Sequence, residues 1–404
     1  MTLTDKIMDL SLLWKQSAAV FPYFGRRRID WDETYRIYLE KVMQTKTDRE
    51  HYLLMAEFLN LLEDGHTDLS FPRELLDEVG YVPFDFAYSG GKYYLNGAEV
   101  LEINNIPIGE VLAVVGRYVY RVGNYIPRLK QMLPLLLNGK EITVKTTVGT
   151  LSYPLLRLRS EVGRQEDAEF TEYGNILYIR LDDFLRDRTH QIREKLGECN
   201  PSAVILDIRE NIGGMTKYGA DIAALFLSGQ FGGCRKYTRV VRGNALGPAS
   251  QIARMSDASR TRLIEQGFTT AEEIEDSLKV HQNAYCEEYE DSWGMPKQEA
   301  LFDGPCVLLT SRGTVSAAED FAAFFRSNGR AILIGEPTCG TTGTPLIQPL
   351  SAGSARICTV GYMLLDGTEF IGKGIAPDIH IETNGENIRN GRDVVLEYAL
   401  QYLK

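Results

Sequence analysis

Four short apolar runs in the second half of the chain constrain its fold more than any other feature. They are ILYIRL at Ile176–Leu181, AVILDI at Ala203–Ile208, CVLL at Cys306–Leu309 and ILIG at Ile332–Gly335. Each has the length of a strand, and helical periodicity follows the first three, over His190–Leu196, Tyr218–Leu227 and Ala317–Ser327. Strands that alternate with helices predict an α/β core, because apolar strand faces must be covered and the next helix is the nearest cover. The stretch Arg235–Ala300 interrupts this alternation. It is rich in Glu, Ser, Arg and Gln, lacks a strong strand pattern, and is expected to form a surface lobe or lid inserted into the core. The core resumes at Gly304 and runs to Glu382, and a last helix is expected over Gly391–Tyr402.

A chain of 404 residues has room for two or three packed units. Residues 1–70 are helical in period, with Leu10, Leu12, Leu13 and Trp14 marking the first helix, Trp31–Met43 the second and Arg49–Leu62 the third. The pattern stops at Glu63-Asp64-Gly65-His66-Thr67, where Gly65 is expected to take the positive φ that follows a helix C-terminus. His66 therefore falls on a connector. Residues 75–160 change to short strands with turn signals at Gly90-Gly91, Asn96-Gly97 and Asn138-Gly139, interrupted by one helix at Ile108–Val115. Within them, Gly97–Leu112 resembles the strand-turn-helix portion of a PDZ domain, with Asn105 where that turn has a glycine. An acidic link around Arg159–Asp167 leads into the α/β core, residues 170–404, with the insertion at about 235–300. The fold class expected is thus multidomain α/β: a helical N-terminal bundle, a PDZ-like β-rich domain and a C-terminal α/β core.

A net charge of -11 argues against a nucleic-acid-binding face, and the one tight basic run, Arg26-Arg27-Arg28, reads as a solvated loop leading into a helix. The N-terminus MTLTDKIMDLSLLWKQ has charges among its apolar residues, so it reads as an amphipathic helix and lacks the uninterrupted apolar core of a signal peptide. No stretch has the length and hydropathy of a membrane span. Six cysteines (Cys199, Cys234, Cys286, Cys306, Cys339 and Cys358) are scattered without paired spacing and fit reduced thiols. The expected location is cytoplasmic, or secreted or periplasmic if a leader has been removed. The five histidines form no metal-ligand spacing, so neither a metal nor a cofactor is expected.

The stretch SRGTVSAAEDF, Ser311–Phe321, offers chemistry. A strand breaks into small polar residues and then opens a helix whose Phe321, Ala322, Phe324 and Phe325 lie at buried spacing, which puts Ser316 at the first turn. Unpaired N–H groups there would hold an oxyanion beside the serine, although a serine in that place is just as readily a helix cap. AVILDIRENIGGM, Ala203–Met215, closes on Gly213-Gly214, a pair that lets backbone N–H groups face a ligand. Asp207 and Arg209 read as structural. Two further motifs are GRAILIGEPTCGTTGTP at Gly329–Pro345, a strand and a glycine-threonine loop without nucleotide-binding spacing, and DGTEFIGKGIAPDI at Asp366–Ile379.

Together with EDGHT at Glu63–Thr67, and in this order, these motifs resemble the tail-specific, or C-terminal processing, serine peptidases, and in particular the branch related to the tricorn protease core. The family marks read here as Asp207–Gly214, Ser316–Glu319, Gly335–Gly340 and Gly374–Asp378. The resemblance implies a crotonase-like core and a serine-type peptidase that hydrolyses peptide bonds through an acyl-enzyme, with Ser316 as nucleophile. Where the bacterial branch has a lysine base, this chain has Thr341, so the resemblance implies a Ser-His-Glu arrangement rather than Ser-Lys. His66 would be the base, and Glu369 its supporting carboxylate, with Glu319 and Glu336 as weaker candidates. Gly213, Gly214 and Ala317 would supply the oxyanion hole. The tricorn pattern has a serine before the histidine; Gly65 stands there in this chain. The partners implied are a peptide or protein substrate, with no nucleic acid and no membrane; a homo-oligomer is compatible with the sequence. A non-catalytic peptide- or small-ligand-binding protein on the same fold is the competing reading. An α/β-hydrolase esterase lacks the G-x-S-x-G elbow. If the peptidase reading holds, the His66 ring lies within hydrogen-bond reach of Ser316.

Overall fold

A computed structural model describes residues 1–24, 29–120, 126–137, 139–156, 168–241, 243–282, 285–290 and 294–404. The basic run at Arg26-Arg27-Arg28, the acidic link from Arg159 to Asp167, and Asn138 of the predicted turn lie outside them.

Three helices open the chain: α1 (Leu3–Val20), α2 (Trp31–Gln44) and α3 (Asp48–Asn60). Each has a side-chain N-cap, from Thr2, Asp30 and Thr47, that accepts an N–H left without a helical partner. Their apolar faces do not form a separate core. Leu10, Leu13, Trp31, Phe58 and Leu59 share one buried cluster with Val100, Ile103, Ile142 and Val144 of the β-rich region, and with Ala355 and Ile357 from near the other end of the chain. After α3, the short strand β1 (Asp68–Ser70) crosses to that distant segment. The β-rich region forms an antiparallel sheet from Ala87–Ser89, Lys92–Leu95, Ala98–Ile103, Glu141–Thr146 and Gly149–Pro154, accompanied by the helices Ile108–Val115 and α4 (Ile126–Leu136).

The C-terminal half builds the α/β core. Strands β2 (Glu169–Tyr173), β3 (Ile176–Arg180) and β4 (Ala203–Asp207) are followed by helix α5 (Thr216–Ala223). Strand β5 (Cys306–Thr310) leads to helix α6 (Ala317–Ser327), and β6 (Ile332–Gly335) completes the apolar runs. Further along come β7 (Pro345–Pro349), β8 (Ser354–Cys358), β9 (Ile379–His380) and α7 (Val394–Tyr402). The core sheet has the order β9-β6-β5-β4-β3-β2, parallel except for the β2/β3 edge. Strands β3 to β6 carry unbroken apolar runs because both of their faces are covered. Val204, Leu206 and Leu308 pack toward α5 and α6, whereas Ile205, Val307 and Leu309 pack toward Val395 and Ala399 of α7. Arg209 ties this layer to α7 by pairing with both Asp207 and Asp393.

A second, small sheet of order β1-β8-β7 joins the N-terminal unit to the core, with Asp68 opposite Arg356. The chain is therefore a multidomain α/β protein. The insertion at about 235–300 is anchored by strands that the sequence pattern does not show. Its ends form strands: Cys234–Val241 pairs with both Tyr285–Glu290 and Val360–Leu364, and Gly229–Gly232 pairs with Gly294–Gln298. The strand at Cys234–Val241 escapes the sequence pattern because Arg235 and Arg239 share the face of fully buried Tyr237, so no apolar face stands out. Among the described residues, no helix is long and apolar enough to cross a membrane.

Phe321 lies at the centre of α6, fully buried against Phe184 and Phe325. Its replacement by alanine is expected to cost about 3–5 kcal/mol, the usual loss for emptying an aromatic core site. Urea unfolding of Phe321→Ala measures it, and a loss below about 1 kcal/mol would contradict this placement.

Candidate active site

Ser316 follows β5 on a loop held from two sides. Ser311 Oγ donates to the Arg209 carbonyl, Thr314 Oγ1 to the Ile208 carbonyl and Val315 N–H to the Asn211 carbonyl, so the loop after β4 is one wall. The Ser316 N–H donates to the Thr341 carbonyl, the other wall. Between them, Ser316 adopts φ 60° and ψ -125°, a conformation that L-residues avoid and that persists only when its surroundings impose it. The serine occupies the N-cap position of α6 but makes no side-chain cap bond. Its Oγ instead lies 3.0 Å from His66 Nε2.

His66 is brought there by the turn after α3. The positive φ falls on Glu63, at 48°, and not on Gly65 as the sequence suggested. Asp64 Oδ2 accepts the His66 N–H at 3.1 Å and the Thr67 hydroxyl at 2.7 Å. Thr67 Oγ1 in turn accepts the Cys358 N–H of β8, which pins the turn to the core side. Next to it, Arg356 and Arg128 of α4 both pair with Asp68. The imidazole is buried, and burial first, then Arg356 and Arg128, push its pKa down to about 3.

The predicted carboxylate is not the partner of this ring. Glu369 is exposed, one residue before buried Phe370, while His66 Nδ1 lies 2.6 Å from Thr341 Oγ1. Glu336 is half-buried after β6. Glu319, on the first turn of α6, is fully buried under the loop that carries Thr341. It accepts from Thr338 Oγ1 at 2.5 Å, Gly340 N–H at 2.7 Å and Thr341 N–H at 2.5 Å. Burial raises its pKa to about 7, against the opposing pull of these donors. A carboxylate drawn from Asp366–Ile379 was expected because an imidazolium is best stabilised by a charge. A hydroxyl fills the position because the loop after β6 folds over α6 and reaches the ring first.

The glycine pair divides its roles. A Cβ on Gly213 would sit 2.7 Å from Ser316 Cβ and 3.0 Å from the Ala317 nitrogen, so only glycine allows the chain to pass this close. The Gly213 N–H itself is committed to Asn211 Oδ1 at 2.9 Å. That leaves the Gly214 and Ala317 N–H groups, which have no intramolecular acceptor among the described residues. Gly214 and Ser316 share a cavity of about 460 Å³ whose wall includes Met215, Cys234, Phe324 and Tyr362. Asp320 lies at its side, buried and held by the hydroxyls of Thr216 and Thr342. Thr341, Asn211 and Asp320 were missed as site residues in the sequence. Thr341 stood out in the sequence only as a departure from the family pattern, and Asn211 only as a member of the Asp207–Gly214 motif.

Residues 175–381, just over half of the 404, match the family described as Peptidase family S41. The chain is 27% identical over 210 residues to carboxyl-terminal-processing peptidase 3, chloroplastic, of Arabidopsis thaliana, covering 51% of this chain and 31% of that protein. It is 26% identical over 281 residues to the carboxyl-terminal-processing protease of Synechocystis sp., covering 68% and 53%. The chain thus spans about a third to a half of the length of these curated relatives. The crystal structure of mature CPAF superposes on 100% of this chain and 97% of its own with a TM-score of 0.68 at 15% identity, a likeness of fold.

His66 has Asp64 on its own turn, Asp68 on β1, Arg128 on α4, and Arg356 and Cys358 on β8 as ionisable neighbours. With its pKa lowered, the folded chain refuses a proton that the unfolded chain accepts below about pH 6.5. The ring is therefore expected to stay neutral, and able to accept a proton, well below pH 6, while this residue's contribution to stability falls as pH drops from about 6.5 toward 3. An NMR titration of the His66 ring checks the sign; a midpoint at or above the ordinary value would contradict it.

Proposed function

This chain belongs to peptidase family S41, and on that premise we propose that it is a serine peptidase in which Ser316 is the nucleophile and His66 the base. The observation that carries the proposal is the 3.0 Å approach of His66 Nε2 to Ser316 Oγ, made by residues 250 positions apart on a strained and fully supported loop. A binding protein has no need to hold a serine at that φ beside a neutral imidazole.

In this mechanism Ser316 Oγ attacks the carbonyl carbon of the scissile peptide while its proton passes to His66 Nε2. The Gly214 and Ala317 N–H groups receive the oxyanion of the tetrahedral intermediate, aided by the positive end of α6. Collapse breaks the C–N bond, and the imidazolium gives its proton to the departing amine. Water then attacks the acyl-enzyme by the same route in reverse, with His66 again taking the proton, and releases the new carboxyl end.

The substrate class is a peptide or protein. The names of the relatives speak of carboxyl-terminal processing, and a segment near a protein's C-terminus is the substrate that we propose for this chain. Exposed Leu185, Ile212 and Met215 border the Gly213-Gly214 loop, a surface suited to apolar residues of an extended substrate.

A fluorophosphonate probe is expected to label the wild type at one serine. Ser316→Ala abolishes labelling, and His66→Ala slows it by roughly 10²-fold or more, the share that a positioned base contributes. Labelling that survives the loss of Ser316, or a wild type that does not react, overturns the assignment.

A further inference from the structure

The imidazole proposed as base has no carboxylate on it. Its Nδ1 faces a threonine hydroxyl; Asp64 takes only the backbone N–H of His66, and Glu319 reaches the ring only through that threonine's backbone. An imidazole can take the serine's proton at Nε2 only if its own proton resides on Nδ1, so something must accept from Nδ1. Thr341 Oγ1, at 2.6 Å, is the acceptor in place.

The position of Thr341 is set from two independent directions. From below, Glu319 accepts the Thr341 and Gly340 N–H groups and the Thr338 hydroxyl, so one buried carboxylate gathers the turn from Thr338 to Thr341. The same turn takes the Ser316 N–H on the Thr341 carbonyl, so it touches the nucleophile and the base at once. From above, the Thr341 side chain fills the space over Gly65. A Cβ on Gly65 would lie 2.6 Å from Thr341 Oγ1 and 2.8 Å from Thr341 Cβ. Gly65 has no positive φ, so it is glycine here for room and not for backbone conformation. The residue before the histidine lacks a side chain because the residue at 341 brings its own into that place.

We infer that Thr341 and Glu319 are the positioning residues of this site: Thr341 holds the His66 tautomer through Nδ1, and Glu319, acting through the Thr338–Thr341 turn, holds Thr341. The inference rests on the Ser316 and His66 reading above. It assigns to a hydroxyl and a remote carboxylate the work that the sequence pattern assigned to Glu369.

The test measures the fluorophosphonate labelling rate at Ser316, which needs no knowledge of the natural substrate, on the full chain. Thr341→Val keeps the shape and removes the acceptor. It is expected to slow labelling by at least about tenfold, part of the roughly 10²–10⁴-fold that a positioned acid–base group supplies, with an unchanged thermal midpoint. Thr341→Ser restores most of the rate, which a purely structural role for the threonine would not predict. Gly65→Ala pushes Thr341 aside and slows labelling without touching either reacting group. Glu319→Gln sets an amide N–H against a backbone N–H and slows it as well. Should Glu319→Gln fail to fold, the Thr341 pair carries the test. Thr341→Val labelling at the wild-type rate overturns the inference while the Ser316 and His66 reading stands. A wild type that does not label removes both.

Discussion

One hydrogen bond, from Ser316 to His66, draws together parts of the chain that no local interaction could join. The serine sits at the head of a core helix and the histidine on a turn after the third N-terminal helix. Everything between the two has to pack to within a few tenths of an ångström for that distance to hold. The joint that achieves this is polar and buried: Asp64 gathers the His66 turn, and Thr67 passes it to the backbone of β8. Buried polar groups are costly when unpaired, so such a joint either closes fully or opposes folding. The N-terminal helices, the β-rich region and β8 also share one apolar cluster.

The strained serine follows from the same packing. Its backbone conformation costs on the order of 1–3 kcal/mol, and two surrounding segments, the loop after β4 and the turn over α6, impose it. Gly213 passes over it, the loop after β4 holds Thr314 and Val315, and the turn over α6 takes its N–H. A strained elbow of this sort is also what an α/β-hydrolase would display, although the G-x-S-x-G motif is missing. Strain of this kind suits a serine that any fold must expose at a strand-helix junction, so it fits the role proposed for Ser316 and says nothing of the family.

Much of this was legible beforehand. The apolar runs of β3, β4, β5 and β6 read as strands because both of their faces are buried, and α6 read as a helix because its phenylalanines recur on one side. Ser316, His66 and the glycine pair stood out as motifs in order. The strand at Cys234–Val241 did not read as one, since Arg235 and Arg239 fall on the same face as buried Tyr237 and no apolar alternation results. Glu369 lies in the motif from which the family resemblance draws its carboxylate. Its exposure, and the reach of Thr341 to the ring, depend on how two loops fold over α6.

By itself, the amino-acid order determined the α/β class, the helix behind Ser316, and the residue types able to attack and to accept a proton. These are local properties: periodicity, strand length and the pKa range of imidazole act over a few residues. Tertiary structure alone decided which group meets Nδ1, which glycine N–H remains free and why residue 65 has no side chain. Those outcomes depend on contacts between segments up to 275 residues apart. There, the way the loop after β6 folds over α6 puts a hydroxyl on the ring, and no pattern within either segment encodes the distance between them.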